Sequence, residues 1–160
     1  MISQDDRYAA QCKLCMKFRV IDTQEGFEVI VHNIKQEPFD CSKKAICSCD
    51  YPTNREYDSS RTWVIYKPNI PKTPQGFKRI SLLREDYSKL DSYYITPTGK
   101  QLRSRNEIAA YPKDHPQPNC VSSLEFDFSS QEVMQDTVPK FIVKKKDSAK
   151  KKAKIAKDEV

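Results

Sequence analysis

The sequence predicts an α+β protein: a small cysteine-held segment, then an antiparallel sheet plus one helix, then a disordered basic C-terminal tail. Three observations carry this. Five of the six cysteines (Cys12, Cys15, Cys41, Cys47 and Cys49, with Cys120 apart) fall in the first third of the chain. Residues 76–111 present strand, turn, strand and helix signals in that order. Residues 144–157 alternate lysine clusters with single lysines. The expected boundaries are 1–52 for the cysteine segment, 53–62 for a polar linker, 63–115 for the sheet-and-helix domain and 116–160 for the tail.

Composition narrows the function classes. A formal charge of +6 over 160 residues favours a polyanionic partner. No apolar run approaches the roughly 20 residues of a membrane span, so no membrane partner is expected. The opening MISQDDRY carries no apolar core, so no signal peptide is expected and the even cysteine count does not imply disulfides. Glycine occurs only at Gly26, Gly76 and Gly99, too sparsely for a phosphate-cradling loop, and His32 and His115 stand in unrelated contexts. An enzyme is not expected.

Clustered cysteines outside an oxidising compartment ask for metal. Cys12-Lys13-Leu14-Cys15 is a CxxC knuckle, and Cys41, Cys47 and Cys49 supply further thiolates about 25 residues on. Zn2+ takes four such ligands in a closed tetrahedron, and its binding energy then supports a segment too small for a large core. Between the two groups, Thr23 can cap a helix in which Phe27, Ile30, Val31 and Ile34 recur at helical spacing, and Pro38 returns the chain to Cys41. The words QCKLC, MKFR and CSCDYP resemble a CW-type zinc finger, a module that precedes the methyl-CpG-binding domain in some plant proteins. That resemblance implies Cys12, Cys15, Cys41 and Cys49 as ligands, with Cys47 the rival for the fourth place. It also raises a histone tail as an alternative partner. The positions where such fingers carry aromatic cage walls hold Ala9 and Phe18, with Tyr8 one residue out of register, so strong methyl-lysine reading is not expected.

The second half opens with Trp63-Val64-Ile65-Tyr66, a short strand with Trp63 as core anchor, and a proline-punctuated strap over 67–74. Residues 77–83 and 91–96 (DSYYIT) read as strands, and Pro97-Thr98-Gly99 as a turn. Ser104-Arg105-Asn106-Glu107 is a capping box for a helix that Pro112 ends or closely follows. Tyr94 is expected in the core, opposite Tyr93. The wording WVIYKPNIPKTPQGFKR and YYITPTGKQLRSRNEIAAY, over residues 63–111, is similar to the plant branch of the methyl-CpG-binding domain family.

The resemblance implies a nuclear, chromatin-associated protein that binds double-stranded DNA and acts in transcription regulation. By it, Arg84 and Arg103 each read one guanine of a CpG step, Asp91 orients Arg84, and Tyr93 lines the cytosine methyl. A bidentate arginine on guanine O6 and N7 discriminates by about 1–3 kcal/mol, and burying two methyls adds on the order of 1.5. Lys78, Arg79, Lys89, Lys100 and Arg105, with the amides at the Ser104 helix start, are expected on phosphates, where they carry affinity but no sequence information. One departure from the animal members is the loop over 85–90 (EDYSKL), about three residues shorter and opened by Glu85 and Asp86, which repel phosphate. The alternative is a chromatin adaptor whose DNA binding ignores methylation.

Past Pro112, residues 124–128 (LEFDF) are expected to be disordered, 137–143 (TVPKFIV) a brief strand, and Cys120 a free thiol. The lysine-rich end suits disorder or a transient helix, and reads as a nuclear-import and DNA-attracting segment.

Overall fold

Strand pairing runs unbroken from the cysteine segment to the far hairpin. The computed structural model describes residues 2–3, 8–114 and 122–158. In chain order the elements are β1 Ile2–Ser3, β2 Tyr8–Gln11, β3 Phe18–Ile21, α1 Gln24–Asn33, β4 Trp63–Ile65, β5 Lys78–Leu83, β6 Lys89–Ile95, β7 Gln101–Leu102, α2 Arg105–Asp114, β8 Gln131–Val133 and α3 Lys140–Asp158. The strands form one antiparallel sheet in the order β3-β2-β1-β4-β8-β6-β5, with β7 also on β6. Among the described residues, no helix is long and apolar enough to cross a membrane.

The local signals explain the elements that form early in the chain. Thr23 caps α1 through its side chain, which accepts from the Gly26 amide at 3.1 Å. Phe27 and Val31 are buried from that helix and pack with Ile70, Tyr8, Ile21 and Tyr66. Trp63 is fully buried against Phe18 and Tyr57, with ring centroids 4.9 and 5.2 Å away.

In the hairpin, Arg79 opposes Tyr94, Ile80 opposes Tyr93 and Leu82 opposes Asp91. Directly paired residues share a face, so this register sorts the side chains into two sets. On the inner face Tyr94 is fully buried, in a cluster with Leu102, Ile108, Tyr111 and Phe126 that Phe77 and Phe128 flank. Phe126 meets Tyr94 and Phe77 edge-on at 4.8 and 5.1 Å. The turn after β6 closes with the Gly99 amide donating to the Thr96 carbonyl at 2.9 Å and Gly99 at φ +86°.

Several expectations need correction. Residues 53–62 are not a free linker: Thr53 Oγ1 donates to the Phe18 carbonyl, Tyr57 packs on Trp63 and bonds Asp136, and Arg55 and Thr62 are buried. Nor is the chain after 122 a disordered tail. Phe126 enters the aromatic core, and β8 fills the place between β4 and β6 with Val133 buried. Residues 137–143 make no strand, because Thr137 ends a 3-10 turn (Gln135–Thr137) and α3 begins at Lys140. Val138 and Ile142 anchor α3 on Val64, Leu90, Leu83 and Tyr87, and the lysines and alanines beyond are strong helix formers. Pro112 does not end α2, which runs on to Asp114. Cys120, His115 and the segment around them lie outside the described residues.

Candidate nucleic-acid interface and metal centre

The outer face of the hairpin carries the side chains that the sequence singles out. Arg84 follows β5 directly, and its guanidinium meets Asp91 in a two-point contact: Nε donates to Oδ2 at 2.7 Å and Nη2 to Oδ1 at 3.0 Å. Ser130 Oγ also donates to Asp91 Oδ1 at 2.7 Å. Arg84 and Ser130 together hold the Asp91 carboxyl below its usual range against the opposing effect of partial burial. Both partners of the pair stay close to half exposed, so the contact orients more than it stabilises.

Two residues further along the same face of β6, Tyr93 lies under Arg103, whose Cζ is 5.9 Å from the ring centroid. Arg103 Nη2 also donates to Gln101 Oε1 at 3.2 Å. Residues two apart on a strand are roughly 7 Å apart, so the two guanidinium anchors sit side by side. Around them Lys78 and Lys89 are exposed, and Leu82 is 62% exposed.

The structure separates the expected phosphate contacts. Lys100 and Arg105 are exposed, the latter in the first turn of α2. Ser104 caps that helix, its Oγ accepting from the Glu107 amide at 3.3 Å. Glu107 reaches back one residue further than expected, to the Arg103 amide at 2.5 Å, and so also fixes the backbone that carries Arg103. Arg79 is a correction. It is 3% exposed on the inner face, with Nη2 on Ser92 Oγ at 3.2 Å and Cζ 5.6 Å from the Tyr66 ring centroid. It cannot reach a phosphate from there. Its register opposite the core residue Tyr94 was the available signal.

The Sγ atoms of Cys12, Cys15, Cys41 and Cys49 lie within 4.8 Å of one another, and Cys47 stays outside the group. Cys12–Cys49 and Cys15–Cys41 separations are 3.8 and 3.7 Å. A zinc tetrahedron with bonds of about 2.3 Å has edges of about 3.8 Å, so the four sulfurs fit that ion. Burial pushes the Cys41 thiol up to about 12, and a positive group answers it. Arg19, fully buried, donates from Nε to Cys41 Sγ at 3.2 Å, and from its other nitrogens to the carbonyls of Ser48, Tyr51 and Pro52. Arg19 thus ties the sulfur cluster to the loop that carries Cys49. Sequence reading missed it, because an arginine in a strand reads as a surface cation. The would-be cage positions are spent on packing: Ala9 and Phe18 are buried with Trp63, and Tyr8 stacks on Phe27 at 4.7 Å.

Residues 63–136 match the family description "Methyl-CpG binding domain". Over 134 residues the chain is 56% identical to Methyl-CpG-binding domain-containing protein 4 of Arabidopsis thaliana, covering 84% of this chain and 72% of that protein. The chain belongs to the methyl-CpG-binding domain family. It is also 50% identical over 138 residues to Methyl-CpG-binding domain-containing protein 1 of the same plant, covering 86% of this chain and 68% of that one. No solved structure matches the chain.

The family match runs to residue 136, past the boundary at 115 that the sequence suggests. The methyl-CpG-binding domain of this chain therefore includes Phe126 and β8, and with them Ser130, the second partner of Asp91. Ser130 stands in a polar run, SSQE, that offers no sequence signal for such a role.

Proposed function

We propose that this protein binds double-stranded DNA in the nucleus, reads a CpG step in the major groove with Arg84 and Arg103, and acts in transcription regulation. The observation that supports this most is the pair of anchored arginines on one uncovered sheet face. A CpG step offers one guanine per strand, each with paired acceptors that one guanidinium matches. Asp91 holds Arg84 in a single orientation, and Tyr93 with the Glu107-fixed backbone does the same for Arg103. Less ordering is then lost on binding. The methyl of a modified cytosine would meet the arginine flank and the Tyr93 ring. Lys78, Lys89, Lys100 and Arg105 supply phosphate contacts, and the lysine-rich end supports nuclear import. The role is one of binding, not catalysis.

We further propose that Cys12, Cys15, Cys41 and Cys49 hold a structural Zn2+. Held by these four thiolates, such an ion would cross-link the segments around β2, β3 and the Cys41 turn and serve as a structural site. The CW-type identity of this module belongs to the same proposal. A histone-tail role is disfavoured, since the rings of Tyr8 and Phe18 are taken by packing.

The test is a titration of duplexes bearing one central CpG, methylated or not, at near-physiological salt. Preference for the methylated duplex, abolished by both Arg84→Ala and Arg103→Ala, supports the reader. Equal affinity for both duplexes, with equal losses in the variants, would move the protein to the second reading, a methylation-insensitive chromatin adaptor. Glu85 and Asp86 beside Arg84 weaken the approach to phosphate on both duplexes alike, so they lower affinity without setting the preference.

A further inference from the structure

The strongest charged surface outside the sheet face is α3. It holds nine lysines against two aspartates, while the whole chain has a formal charge of +6, so this helix carries the chain's entire positive excess. Its lysines are not equivalent. At helical spacing Lys146, Lys150, Lys154 and Lys157 fall on one side, four, four and three residues apart, whereas Lys144 and Lys151, and Lys145 and Lys152, fall on others.

The packing fixes where the first of these sides begins. Ile142 and Val138 seat α3 against Tyr87, Leu83 and Leu90 at the tip of the β5–β6 hairpin. Lys146, one turn on, is half-buried while the other lysines of α3 are exposed. It is close enough to Asp86 to add to the lowering of that carboxyl, whose main cause is the Ser88 hydroxyl. Asp86 lies two residues from Arg84. The lysine row therefore starts beside the loop that carries a proposed base-reading arginine and continues along a helix about 28 Å long.

We propose that the row Lys146, Lys150, Lys154 and Lys157 docks on the phosphates of DNA flanking the CpG step. The inference rests on the DNA-binding reading above and deepens it by assigning a second contact to a defined side of one helix. Lys146 offsets the acidic opening of the hairpin loop, and the next three lysines, at intervals of about 5–6 Å, meet a polyanion whose strand carries a charge every 3.4 Å or so along its axis. The docking is indifferent to sequence and lengthens the site on one flank only.

The test uses the full chain and three proteins: the wild type, K146Q/K150Q/K154Q/K157Q, and the charge-matched control K144Q/K145Q/K151Q/K152Q. Circular dichroism confirms equal helix content. Binding is measured against salt on CpG duplexes of about 12 and about 30 base pairs. The expected result is that the row variant lowers the slope of log affinity against log salt by about 3 and weakens binding to the long duplex about tenfold, while the control keeps most of both. The wild type should also gain from the longer duplex, and the row variant should not. Equal losses in the two variants, or none in either, overturn the docking row while leaving the DNA reading intact. Absence of wild-type binding to either duplex overturns the DNA reading and the row with it.

Discussion

The two faces of the β5–β6 hairpin put the same residue type to opposite uses. On the inner face Arg79 is enclosed by Ser92, Tyr66 and the helix of the cysteine segment, where Gln24 Nε2 donates to the Arg79 carbonyl at 2.9 Å. Glu28 from that helix is held nearby by Thr73, which donates from its amide and hydroxyl at 2.9 and 2.8 Å. On the outer face Arg84 and Arg103 each keep one side against a partner and the other toward solvent. An inner-face group answers to stability, and an outer-face group is left for the proposed recognition. Charge alone does not say which; strand parity does.

The largest expected effect tests whether the inner face depends on the metal. Chelation of the proposed zinc should unfold the cysteine segment, because its own core is small. Since α1 covers the inner face, thermal unfolding of the whole sheet should shift down and DNA binding should fall with it. A sheet that melts unchanged after verified metal removal would break the link between the two halves. Next, Phe126→Ala removes an edge-on partner of both Tyr94 and Phe77 and should cost about 3–5 kcal/mol in chemical denaturation. A cost near zero would put that ring outside the core.

Smaller, but more pointed, is Arg79→Met. It should cost on the order of 1 kcal/mol through the lost Ser92 bond, while the salt dependence of DNA binding stays that of the wild type. A slope reduced by about 1 would mean that Arg79 reaches a phosphate after all. The smallest effect concerns pH. The lowered Asp91 carboxyl keeps its charge, and with it the clamp on Arg84, above its usual pKa of about 3.9; the clamp is lost only as pH falls through the lowered value. Its contribution to DNA affinity should thus be flat from about pH 8 to about pH 5. A difference between wild type and Asp91→Asn that varied over that range would contradict the assignment.

What the sequence revealed divides along the same line. The strands, the Gly99 turn and the Thr23 and Ser104 caps announce themselves through neighbours only a few residues away, whereas the outer-face arginines were singled out through the family resemblance. Arg79 needed one more step, the register that sets it opposite Tyr94. β8 gave no comparable sign, for it is three residues long and begins with Gln131, a polar side chain that is fully buried. Its amide oxygen accepts from the Lys67 backbone at 2.8 Å and its nitrogen donates to the Ser129 carbonyl at 3.1 Å. Those partners come from chain remote in sequence or hidden in an irregular loop, and no local pattern encodes them. The cysteine cluster was legible in the sequence, with Cys47 and Cys49 as rivals for one place in it, whereas Arg19 behind it was not, since its role exists only once the Cys41 turn has folded over it.

The placement of β8 also bears on how the molecule comes to be made. β4 and β6 are both made before β8, the strand that joins them, which follows β6 only after β7 and α2. Until it emerges, both present unpaired backbone groups along open edges, the arrangement most prone to pairing with another molecule. The sheet is sealed late, like an arch that waits for its middle stone. A chain cut at residue 115 would retain every proposed DNA-reading arginine and still carry two sticky edges.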